Sequence, residues 1–333
     1  MNRSRLSLAL AVFSLLWPTG SQPEAAEAVF SQDGGKIYLL DRQQGPGQLY
    51  GIDVKSGEML PAGVPDMAGQ PIVAVDRSNA GFILCLTESV CQAWDVGRGA
   101  TSQVCGVPEG GVFVDLAYDP STENLAFVVR FTENDGAMRW ELWLLPKGAD
   151  APTQTAVRRV RAIEGMAFDR NGELFFGADG DLWQGRIEGV GSGPDERPGG
   201  ALNAYRFAPL ATRETADSTP AQIGVSSVVV AGPELFVHVQ RMGGSGWGSV
   251  VRLAKPAARG TDGYPFELGE RIAAYQKALA SVKILGENGT LAHLAASPDG
   301  TTVYFQAARE DGEMTHWLVR AGGEPQPFSV TAP

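Results

Sequence analysis

The chain has 333 residues, 44% of them hydrophobic and 20% charged, which suits a folded globular protein and argues against general disorder. Its 42 glycines and 21 prolines suit a fold with many turns better than a helical one. A net charge of -11 leaves no basic surface to neutralise phosphates, so a nucleic-acid partner is not expected.

The first residues read as an export signal. Arg3 and Arg5 form a positive start, and the apolar run "LSLALAVFSLLW" over 6–17 ends at Pro18. That run is too short to span a bilayer, and Ala26-Glu27-Ala28 is a step that a signal peptidase accepts. The expectation is a signal peptide over 1–28 and a mature chain over 29–333 that is periplasmic or secreted, with no integral membrane span. Removal of 1–28 takes away two arginines and two glutamates, so the mature chain keeps its charge of -11.

One turn element then recurs along the chain. It appears as "FSQDGGKIYLL" (30–40), "VDRSNAGFILCL" (75–86), "YDPSTENLAFVV" (118–129), "FDRNGELFFGA" (168–178), "VAGPELFVHV" (230–239) and "SPDGTTVYFQ" (297–306). Each copy has a short apolar stretch, a turn of Asp, Asn, Ser or Gly, and then an aromatic or β-branched stretch, the pattern of a β-hairpin. A second element trails each turn and carries one aromatic: Tyr50, Trp94, Trp143, Trp183, Trp247 and Trp317.

Each unit therefore reads as four strands: A before the turn, B after it, C with the aromatic, and D after a glycine-bearing turn. Repeated six times, this predicts an all-β fold, a β-propeller of six blades of four antiparallel strands, in one domain. Two insertions interrupt it, at 189–203 and 256–282. Within the second, Leu268, Ile272, Tyr275, Leu279 and Val282 form one apolar face, which predicts a helix between strands C and D of the fifth blade. "KIL" (283–285) then supplies that blade's D strand, and "EPQPFSV" (324–330) completes the sixth blade.

Cys85, Cys91 and Cys105 all fall in the second blade. A hairpin centred on Glu88 sets Cys85 opposite Cys91, and one centred on Arg98 sets Cys91 opposite Cys105. Two states stay open: one disulfide between one pair of the three, or three buried thiols.

The sequence carries no HExxH, GxSxG or phosphate-loop signature, and the chain has only three histidines. The place left for chemistry is the central channel lined by the A strands. Near the starts of those strands stand Glu27, Gln70, Asp115, Glu164 and His293, a candidate ring at one mouth. Oxygen-rich rings of this kind suit Ca²⁺ or Mg²⁺.

"SPDG" before "TVYF", with "LYGIDVKSGE" and "AWDVGRG" after B strands, resembles the bacterial TolB-like, WD-repeat-like propellers over nearly all of the mature chain. The resemblance implies the fold and an exported location, and a superfold of this kind hosts binders and enzymes alike. "IEGMAFDRNGELFFGADGDLW" (163–183) also resembles the gluconolactonase-like propeller enzymes, with Glu164 where those carry a metal-binding Asn. The expected function is a non-catalytic binding or interaction module, without a cofactor, whose partner is another protein or a small polar ligand. The alternatives are a metal-dependent lactonase- or lyase-like enzyme with its site in the channel, and an accessory subunit of an extracytoplasmic redox system.

Overall fold

The structure is a computed structural model that describes residues 28–41, 48–63, 65–160, 162–178, 181–188, 201–202, 205–206, 223–241, 248–255, 283–284, 290–308 and 314–331. Its strands form six sheets, each made from one continuous stretch of chain. Blade 1 holds β1 (Ala28–Phe30), β2 (Lys36–Asp41), β3 (Gln48–Asp53) and β4 (Met59–Gly63). Blade 2 holds β5 (Ala74–Arg77), β6 (Ile83–Leu86), β7 (Val90–Asp95) and β8 (Ala100–Gly106). Blade 3 holds β9 (Gly111–Tyr118), β10 (Leu125–Thr132), β11 (Met138–Leu145) and β12 (Thr153–Val160). Blade 4 holds β13 (Ile163–Phe168), β14 (Glu173–Ala178) and β15 (Asp181–Glu188), whose outer edge pairs with both β16 (Ala201–Leu202) and β17 (Tyr205–Arg206). Blade 5 holds β18 (Ile223–Ala231), β19 (Glu234–Arg241), β20 (Gly248–Ala254) and β21 (Lys283–Ile284). Blade 6 holds β22 (Thr290–Ala296), β23 (Thr302–Ala308), β24 (Met314–Arg320) and β25 (Gln326–Pro327).

All pairings within the blades are antiparallel, and the six inner strands contact one another in cyclic order, with β22 closing on β1. The fold is thus the six-bladed, four-stranded propeller that the repeat predicts. Residues 1–27, most of 189–203 and all of 256–282 lie outside the described residues, and with them the proposed signal, the predicted helix and Trp247. Ala28 already pairs with Leu39 at the start of β1.

Six apolar layers hold the blades together, one between each adjacent pair, including blades 6 and 1. The second strand of each blade is covered on both faces, so β6, "ILCL", is buried at every position. Strand alternation sends successive residues into different layers: Phe127 packs between blades 2 and 3, and Val128 between blades 3 and 4. The repeated aromatic stands opposite a large apolar residue of the second strand, as Trp183 does Phe176 and Trp317 does Phe305. The rings of these two pairs stack with centroids 6.3 and 6.1 Å apart.

This alternation corrects the cysteine register. Leu86, not Cys85, faces Cys91, so Cys85 points into the layer shared with blade 1 while Cys91 and Cys105 point toward blade 3. Cys91 does stand opposite Cys105. All three are buried free thiols in the structure.

Blade 6 is completed by its own β25, as the sequence suggests, but the tail beyond it reaches further. Thr331 pairs in parallel with Glu58, donating to the Gly57 carbonyl and accepting from the Met59 amide at 2.9 and 3.0 Å. Phe328 and Val330 pack into the layer between blades 6 and 1.

Candidate functional site

Because each inner strand is an edge strand, its unpaired main chain faces the central channel. The channel widens into a cavity of about 550 Å³ at the end where the inner strands run into their turns. The six turns share a plan. Their first residue is Ser31, Ser78, Asp119, Asp169, Ala231 or Ser297. Where that residue is polar, its side-chain oxygen accepts a backbone N–H within the turn, as Ser297 does from Thr302 at 2.9 Å and Asp169 from Asn171 at 2.8 Å. The second residue then projects over the opening: Gln32, Asn79, Pro120, Arg170, Gly232 and Pro298 all line the cavity.

These turns are stitched to one another. Asn79 Nδ2 donates to the Pro120 carbonyl at 2.8 Å, joining blades 2 and 3. Arg170 Nη2 reaches from blade 4 past blade 5 to the Pro298 carbonyl of blade 6 at 2.7 Å. Arg77 Nη1 donates to Gln32 Oε1 at 2.9 Å, joining blades 2 and 1. Lys255, at the end of β20, forms a 2.6 Å ion pair with the buried carboxylate of Asp169.

Arg77 breaks the pattern of the repeat. The residue just before the first turn residue is Phe30, Tyr118, Phe168, Val230 or Ala296 in the other five blades, and each pairs with an apolar residue at the first or second position of the next strand. Arg77 occupies the same slot opposite Ile83. Burial lowers its proton affinity most, with the neighbouring Arg170 adding to the effect and Asp76 opposing it. Asp76 precedes it, where the other blades have apolar residues, and accepts the Arg77 amide and the Tyr118 amide of blade 3, each at 2.7 Å. Burial raises the pKa of that carboxyl, against the pull of the two amides.

Of the five residues singled out from sequence, the four that are described lie toward the opposite end. Glu27 is outside the described residues. Gln70 precedes β5 in an exposed turn, where its Oε1 accepts from Ser89 Oγ at 2.6 Å. Asp115 is buried and accepts the Leu116 amide at 2.8 Å. Bulges displace the inner strands of blades 3 to 6 at Val114, Gly165, Ser226 and Ala292, the one in blade 4 a residue nearer its turn than the other three. Asp115, Glu164 and His293 nevertheless share a level: they pair with Val128, Gly177 and Gln306, each the residue after the phenylalanine that faces the repeated tryptophan. The sequence signal for the mouth at the turn end is the second residue of each repeated turn, all six of which line the cavity.

No protein-family model matches the sequence, and no curated protein matches it. Solved structures do match in fold. A luciferin-regenerating enzyme superposes with a TM-score of 0.58 at 9% identity, covering 94% of this chain and 97% of that one. TolB from Acinetobacter baumannii gives 0.55 at 13%, covering 90% and 65%. The calcium-binding protein regucalcin from Agrobacterium tumefaciens gives 0.53 at 16%, covering 88% and 84%. At these identities the likeness is one of fold, and the resemblance to TolB-like, WD-repeat-like propellers holds at that level. Among the described residues no helix is long and apolar enough to cross a membrane.

Proposed function

We propose that this chain works outside the cytoplasm as a non-catalytic binding module, and that its ligand enters the channel through the mouth built by the six turns. The observation that carries the reading is the ring of second-turn residues around a 550 Å³ cavity, a size suited to a small polar ligand or a short protein segment. Export rests on residues 1–28, and a reporter active only outside the cytoplasm, fused after them, tests it.

The binding test is mass spectrometry of small molecules and peptides retained by the purified protein. Retention is expected for the natural chain and for Leu60→Trp on the outer strand β4. It is expected to be lost in Asn79→Trp, which places bulk at the mouth. Retention that survives Asn79→Trp and disappears with Leu60→Trp would place the binding face elsewhere.

The similarity of fold to an enzyme and to a calcium-binding protein supports a second reading, a Ca²⁺- or Mg²⁺-dependent lactonase- or lyase-like activity in the channel. Asp115 and Glu164 share a level of the channel, but among the described residues no three of His, Cys, Asp and Glu come together as metal ligands. Calorimetry with Ca²⁺ decides this reading: stoichiometric binding that is lost in the Asp115→Ala/Glu164→Ala double variant would favour the enzyme. The redox-accessory reading gains no support from three thiols buried between blades.

A further inference from the structure

We infer that Arg77 and Arg170 together hold an oxyanion, the carboxylate or phosphate of a small polar ligand seated in the channel. The inference rests on the reading of the turn-side mouth as the ligand's entry. Packing does not call for either guanidinium. Five blades fill the slot of Arg77 with an apolar or aromatic residue, and a charge there is taken partly out of water against Ile83. Arg170 stands in a slot that elsewhere holds Gln, Asn, Pro or Gly.

Each guanidinium carries five N–H donors and spends one on a neutral acceptor, Gln32 Oε1 or the Pro298 carbonyl. Among the described residues neither forms an ion pair. The nearby charges are otherwise engaged. Lys255 is matched by Asp169. The oxygens of Asp76 hold the amides of Arg77 and Tyr118. Those of Asp299 hold Ser297 Oγ and Thr301. Two like charges thus share one opening of a protein whose net charge is -11, with the nearby carboxylates of Asp76 and Asp299 offsetting their repulsion.

An oxyanion between the two takes up the N–H donors that Gln32 and Pro298 leave over, and planar forks suit the paired oxygens of a carboxylate or phosphate. Below the mouth, the free edges of the inner strands offer N–H and C=O groups to a polar body of small size. The shared chemistry is a compact oxyanion on a hydrophilic frame.

Titration calorimetry at low salt tests this with inorganic phosphate, malonate and gluconate, and with sorbitol as the uncharged control. At least one anion is expected to bind at millimolar concentration and sorbitol is not; which anion binds separates a phosphate from a carboxylate ligand. Arg77→Gln or Arg170→Gln should weaken binding about ten- to a hundredfold, and the double variant should abolish it. Arg170 is exposed, so Arg170→Gln keeps the fold, and Arg77→Lys keeps the charge where Arg77→Gln destabilises. Anion binding that persists in the double variant overturns the inference, as does a failure of all three anions. In either case, retention of a neutral molecule or a peptide that Asn79→Trp abolishes leaves the binding-module reading standing. Loss of both sets of results removes the two together.

Discussion

Gly165 packs against Ser227 across the boundary between blades 4 and 5 so closely that a Cβ on Gly165 would lie 2.4 Å from the Ser227 Cα and 2.9 Å from the Ser226 carbonyl oxygen. Its φ of 55° lies in the left-handed region, and it is the bulge residue of β13. Both obstacles are main chain, so neither can turn aside. Gly165→Ala is expected to destabilise the protein by at least about 3 kcal/mol, the sum of left-handed strain and overpacking. Gly300 has a similar φ of 64° but a looser contact, with Gly232 N at 3.0 Å, so Gly300→Ala should cost less, about 1–2 kcal/mol. Urea denaturation of the two variants measures the order; equal effects would mean that strain alone, not the blade contact, sets the cost.

The architecture is legible because its signals are local. Ser297, Asp299 and Gly300 write a tight turn in the sequence, and five degraded copies place it at fixed points of a repeat. The aromatic of each third strand, such as Trp183, marks the blade period because it needs a large neighbour in the second strand. The site is less legible. Asp115 stands four residues before Asp119 and Glu164 five before Asp169, yet the bulge at Gly165 takes up the extra residue and brings both to one level, and a bulge is set by packing between blades rather than by local pattern. Cys85 misleads for a related reason, since a one-residue change of hairpin register sends it into another layer. Arg77 is visible only once the blades are aligned on their turns.

The turn carboxylates Asp33 and Asp299 make stability depend on acid. Hydrogen bonds from Ser31 and Ser297, first among the causes, hold both below the ordinary value of 3.8. A folded pKa below the unfolded one gives stabilisation that is complete above 3.8 and is lost as pH falls through the folded values. The urea midpoint should therefore drop as pH falls below about 4. The Asp33→Asn/Asp299→Asn variant should be less stable at neutral pH and show a shallower drop. A slope equal to that of the natural chain would assign the acid sensitivity to other groups.

The thiols should be inert while the protein is folded. Burial pushes Cys85 up to about 12, and the hydrogen bond with Cys105, followed by burial, holds Cys91 well above the usual thiol range. Iodoacetamide at neutral pH should label none of the three until denaturant is added, since the thiolate is the reactive form. Under forced oxidation, the opposed pair Cys91 and Cys105 is expected to cross-link, and Cys85 to stay free. Peptide mapping showing Cys85 in a disulfide would contradict the register of β6 and β7.

Ring closure gives the last prediction. The layer between blades 6 and 1 is sealed by Phe328 and Val330, and the tail is fixed by hydrogen bonds from Thr331 to Gly57 and from Met59 to Thr331. Gly57 permits this approach, because a Cβ there would collide with the Ser329 carbonyl oxygen. Deleting 328–333 removes these two bonds, the bond from the Phe328 amide to the His316 carbonyl, and two apolar side chains. The expected loss is about 3–5 kcal/mol. Gly57→Ala should reproduce much of it by pushing the tail away while leaving every tail residue in place. Calorimetric unfolding of both variants is the measurement. A deletion with an unchanged melting temperature would show that the interlocked side chains of blades 6 and 1 close the ring without the tail.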